Sequence, residues 1–197
     1  MKRLLVYLIS GLLLLSPLPV FAGVPLDTVQ ANVNQVLEIL RNPALKAPSA
    51  KAVKKDKLLT IYVRMFDEVE LSRRALAKNW TKLNAAQRQE FIPLFRQVLE
   101  NAYADKILAY TNEKIVYDRE RMVSENQAEV QTRVLTSSKS IPINYRMIQK
   151  GGNWKVYDVV IENVSLIQNY RTQFNEILAN KTPEQLLQTL RKKVKEQ

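Results

Sequence analysis

The chain passes from helical to strand periodicity and back to helical. Val29, Val33, Val36, Leu37 and Leu40 recur at helical spacing, with Asp27 placed to cap that helix and Asn42-Pro43 to end it. Beyond a lysine-rich stretch, Leu58, Leu59, Ile61, Tyr62, Met65 and Phe66 resume the pattern, and Asp67 is placed to cap a short helix ending near Trp80. Asn84-Ala85-Ala86-Gln87 has capping-box spacing and opens the longest helix, to about Tyr110. Its apolar positions, from Phe91 to Leu108, span more than one core-facing stripe, which predicts burial on more than one side. Pro93 within it predicts a kink or a split into two helices.

From Thr111 the period changes to two. Strands are expected over 114–119, 128–136, 141–149 and 154–161, with Lys150-Gly151-Gly152-Asn153 as a hairpin turn between the last two. Helices return over 165–179 and 183–194, the latter capped by Thr182 with Pro183 in its first turn. Helices, then an antiparallel meander, then helices predict a single α+β domain with a sheet of about four strands. The last strand is unusual. Strict alternation puts Trp154, Val156 and Val160 on one side and Tyr157, Val159 and Ile161 on the other, interrupted by Asp158. Such a strand needs apolar cover on both faces.

Composition narrows the function. Met1-Lys2-Arg3, an apolar run from Leu4 to Leu15, and Val20-Phe21-Ala22 form a secretory signal peptide pattern, with cleavage expected before Gly23. The apolar run is shorter than the ~20 residues of a membrane span. With no cysteine there is neither a lipid-anchoring thiol nor a disulfide, so packing alone must hold the exported domain. With no histidine either, thiolate- and imidazole-ligated metals and Ser-His or Cys-His nucleophile systems are excluded. Only four glycines occur, too few and too scattered for a phosphate-cradling loop. Without Lys2 and Arg3, 28 of the 30 basic residues face 19 acidic ones, a net charge of +9. On an exported protein this charge suits acidic protein partners or anionic membrane surfaces better than nucleic acid.

Candidate chemistry is sparse. Asp67, Glu68 and Glu70, and Asp118 and Glu120 around Arg119, lie among basic residues and are expected to form exposed ion pairs. Asp158, in an otherwise apolar strand, is expected to be a buried carboxylate paired to an arginine or to backbone. From periodicity alone, the broad apolar surface of the sheet and long helix is either a filled core or the lining of a pocket.

The stretch from Trp154 to Leu166, followed by Asn169-Tyr170-Arg171 and Phe174, resembles the signature of the MlaC family, periplasmic phospholipid-carrying proteins also called toluene-tolerance proteins. Trp80, Gln87-Arg88, Phe91, Phe95, Leu99 and Tyr103-Ala104 extend the resemblance upstream, while Pro93 departs from it. The resemblance implies a curved antiparallel sheet with helices around an apolar cavity that holds phospholipid tails. It implies a non-enzymatic monomer without cofactor. Such a monomer carries lipid between an outer-membrane lipoprotein–porin complex and the substrate-binding ring of an inner-membrane ABC transporter, and so maintains outer-membrane lipid asymmetry. On this reading Phe66, Phe95, Leu99, Tyr103, Val130, Val134, Ile143, Tyr145, Val156 and Val160 are the expected lipid contacts. Tyr170, Arg171 and Phe174 would anchor the signature helix to the sheet, with Arg171 a candidate partner for Asp158. The rival reading is an exported adaptor with a filled core that binds only proteins.

Overall fold

The computed structural model describes residues 24–109 and 113–196, so the expected signal peptide lies outside the described residues. Two helices, α1 (Pro25–Arg41) and α2 (Lys51–Met65), lead into the short α3 (Glu68–Leu76) and the long α4 (Ala85–Leu108). The meander follows: β1 (Lys114–Ser124), β2 (Gln127–Leu135), β3 (Ser140–Lys150), β4 (Asn153–Ile161) and the two-residue β5 (Val164–Ser165). α5 (Leu166–Asn180) and α6 (Pro183–Lys195) close the chain. The strands form one antiparallel sheet in sequence order, so the α+β expectation holds with a short fifth strand added.

Local chemistry explains most boundaries. Asn84 and Gln87 form the expected capping box on α4, and Thr182 and Gln185 form another on α6. Asp67 caps α3 by accepting from Glu70 N at 2.9 Å. α1 differs from expectation: it starts at Pro25, and Asp27 lies inside its first turn. Proline has no N–H to satisfy there, and an acidic residue in the first turn complements the helix dipole. α4 likewise runs unbroken through Pro93, whose side chain is exposed. Gly151 and Gly152 take φ of +54° and +79°, the left-handed geometry of a tight hairpin, as their sequence predicts.

Two cores result. One is helical, built by α3 to α6 around Phe91, Phe95, Val98, Phe174 and Leu186. The other packs α1 and α2 onto one face of the sheet through Val29, Val33, Met65, Val130, Met147 and Val156. Phe66, just beyond α2, packs against both.

β4 departs from strict alternation. Arg146 pairs with Asp158 and Met147 with Val156, leaving Tyr157 as a β-bulge. The extra residue shifts the parity. Trp154 and Val156 therefore share a face with Val159, which packs in the same core, and with Ile161. Tyr157, Asp158 and Val160 take the opposite face, toward α3 and α5. The bulge also exposes the Val156 carbonyl, which accepts from Asp67 N at 2.9 Å and ties the α2–α3 junction to the sheet.

Candidate functional site

The register of the sheet assembles an apolar surface on the α1/α2 side. Ala128, Met147 and Val156 form one row, and Val130, Tyr145 and Val159 the next, both under the helices. The following row is Thr132, Ile143 and Ile161, and the last is Ile115, Val134 and Ile141. Thr132 does not break the apolar character, because its hydroxyl donates to the Ile143 carbonyl at 2.7 Å. α1 covers the β1 end through Ile115. Val134, Ile141, Ile143 and Ile161 belong to neither core and remain only half-buried. This is an apolar strip, continuous with a core, that the helices leave partly uncovered.

Aromatic residues lie at the other end of this apolar face, where Phe66 pairs with Val156. Tyr62 and Phe66 stack with ring centroids 4.6 Å apart. Burial pushes the Tyr62 phenol well above its usual range, assisted by the Glu68 and Glu100 carboxylates, and burial does the same to Tyr145. Yet both side chains keep accessible surface. Arg96 stands between Glu68, at 3.4 Å, and Glu100, at 3.3 Å. Its Nε and Glu100 Oε1 are buried without a hydrogen-bond partner.

The ten expected lipid residues are therefore divided. Phe66, Val130, Val134, Ile143, Tyr145 and Val156 share the α1/α2 side of the sheet. Phe95 and Leu99 sit in the helical core, with Phe95 edge-on to Tyr170 at 5.1 Å and Phe174 at 5.3 Å, and Tyr103 packs against that core. Val160 is on the opposite face, turned there by the bulge. Two open clefts flank α3, of about 330 and 410 Å³, and of the ten residues only Phe66 lines either. Ile141, Val159 and Ile161 also lie on the α1/α2 side of the sheet, outside the ten. Ile141 was legible from its alternation with Ile143, whereas the bulge hid Val159 and Ile161.

The signature residues are placed differently from expectation. Tyr170 and Phe174 do anchor α5, but in the helical core. Arg171 does not reach Asp158; its Nε donates to the Arg74 carbonyl at 2.9 Å. Asp158, 3% exposed, pairs instead with Arg146 at 3.1 Å and accepts from the Ser165 hydroxyl and Ile167 N. A carboxylate one strand away from a facing guanidinium needs no helix rotation to be paired. The 67–70 carboxylates also differ from the exposed pairs expected: Glu70 is 3% exposed and held by Arg73 and Arg74. The Asp118–Arg133 pair, by contrast, is at the surface.

An open antiparallel meander with helices on both faces and a half-covered apolar strip defines a class of α+β domain suited to an apolar ligand. A family model described as MlaC protein matches residues 30–192, and the chain belongs to that family. It is 28% identical over 101 residues to the intermembrane phospholipid transport system binding protein MlaC of Haemophilus influenzae, an alignment covering 49% of this chain and 47% of that protein. The match thus spans about half the length of that relative. To toluene tolerance protein ttg2D of Pseudomonas putida it is 25% identical over 180 residues, covering 90% of this chain and 82% of the other. The fold is shared with a phospholipid-binding protein from Ralstonia solanacearum solved with a phospholipid, at a TM-score of 0.79 and 23% identity, over 88% of this chain and 98% of that one.

Proposed function

We propose that this protein is an exported, non-enzymatic phospholipid carrier that takes lipid between an outer-membrane complex and an inner-membrane ABC transporter. The observation that carries the reading is the apolar strip Val134, Ile141, Ile143 and Ile161, continuous with the α1/α2 core yet left half-covered. Acyl chains complete the burial that the helices leave unfinished.

Magnitudes favour such a role. Each buried CH₂ is worth ~0.8 kcal/mol, so two chains of ~15 methylenes gain roughly 24 kcal/mol on leaving water. A lipid cannot cross an aqueous space unshielded. A bilayer offers nearly the same stabilisation, so exchange between membrane and carrier is close to neutral, and small differences at a docked partner set its direction. Energy input belongs to the partner.

The test is native mass spectrometry, followed by organic extraction, of protein purified from cells without detergent. Phospholipid near one molecule per chain is the expected result. Protein at its bare mass that takes no lipid from vesicles means a filled core and an adaptor.

A further inference from the structure

The opposite side of the sheet carries a second feature. Between α3 and α5 lies the 410 Å³ cleft, lined by Arg73, Arg74, Ala77, Trp80, Thr81 and Arg171. Three guanidiniums in one cleft repel one another, so the fold must hold them in place. Glu70 accepts from Arg73 Nη2 at 2.6 Å and from Arg74 Nε at 2.7 Å. Arg74 also stacks over the Tyr157 ring, 3.8 Å from its centroid. The Arg171 Nε is fixed by the Arg74 carbonyl, while its two Nη atoms have no partner among the described residues. Glu70, which does not itself line the cleft, cannot balance three cations, and the cleft is left positive with unused donors.

Guanidiniums held rigid in this way recognise oxyanions in forked geometry. The surroundings favour the carboxylates of a protein over other anions. The cleft is open, so it cannot enclose a small ligand. Trp80 forms one wall, and tryptophan and arginine are the residue types that dominate binding energy at protein interfaces. Among the described residues, none of the exposed large apolar side chains lines the cleft, so it offers nothing to insert into a bilayer.

We propose that this cleft is a docking site for an acidic segment of a protein partner, with the arginines receiving carboxylates and Trp80 an adjacent side chain. The site faces away from the lipid strip, and it stands or falls independently of whether that strip holds lipid.

The experiment titrates the full chain, nitrogen-labelled for NMR, with a short acetylated peptide of glutamate and aspartate containing one phenylalanine. The Trp80 indole and Arg171 Nε resonances should shift together and saturate, more weakly as salt rises, while the buried Trp154 indole stays still. Arg171→Gln should weaken the peptide by about tenfold or more. Because Arg171 also supports the fold, Thr81→Glu serves as a second variant. It keeps every arginine and places a competing carboxylate in the cleft, with a similar loss expected. No shift at Trp80, or a shift that survives both variants, overturns the site. Inorganic phosphate or phosphatidylglycerol vesicles moving these resonances at lower concentration than the peptide overturns the protein partner in favour of a free anion or a membrane.

Discussion

Asp158 and Arg146 face each other across β4 and β3, with the Arg146 Nη1 atom 3.1 Å from the carboxylate. The same carboxylate receives the Ser165 hydroxyl at 2.6 Å and Ile167 N at 3.1 Å. One buried side chain thus fastens the bulged strand to the start of α5. Asp158→Ala should cost about 3 kcal/mol, since it leaves the buried Ser165 hydroxyl and Ile167 N–H without their acceptor and breaks the pair to Arg146. Arg171→Ala, losing one bond to a carbonyl, should cost about 1 kcal/mol. Urea unfolding of both variants checks this; equal losses would mean that the anchor is assigned to the wrong pair.

Glu70 should make stability depend on pH at the acid end. Burial alone would raise its pKa, but hydrogen bonds from Arg73 and Arg74 outweigh it and hold the group at about 2, against a usual 4.5. A depressed native pKa gives stability that is fully present above 4.5 and lost as pH falls toward 2. Glu70→Gln should flatten the acid limb of a melting-temperature profile over that window. An unaltered limb would place the titrating group elsewhere.

Core and strip should separate under mutation. Phe95→Ala opens a cavity in the helical core and should lower stability by about 3–5 kcal/mol. Val134→Glu puts a charge on the half-covered strip, where water still reaches it, and should leave the protein folded while abolishing lipid retention. Lipid extracted from matched preparations gives the readout. Unchanged lipid content in Val134→Glu removes that residue from the site.

Ala77 has φ of +48° and ψ of −121°, outside the regions that suit a side chain with a Cβ. Ala77→Gly should relieve more strain than the flexibility it adds to the unfolded chain, for a net gain of about 1 kcal/mol. In a domain of this size that is a rise of about 2–4 °C in Tm by calorimetry. A lower Tm would show that the backbone there is unstrained.

Much was readable without coordinates. Capping boxes at Asn84 and Thr182, the Asp67 cap and the Gly151-Gly152 hairpin are encoded within a few residues, because each satisfies its own backbone groups locally. The period-two runs of β2 and β3 were correct for the same reason: no bulge disturbs their mutual register. The carrier-like sequence signature was legible as well, although the partners of its residues were not.

What the chain determined by itself was therefore the order of elements, their caps, and the absence of histidine and cysteine chemistry. Tertiary structure decided which side of the sheet each β4 residue faces. Tyr157 bulges where the Val156 carbonyl must meet Asp67 N, and that one extra residue sends Val160 toward α5 and Val159 toward the α1/α2 core. It also decided that Glu70 is buried and Val134 is not. Alternation records only that a position is apolar or polar; burial depends on whether a helix distant in sequence comes to lie over it.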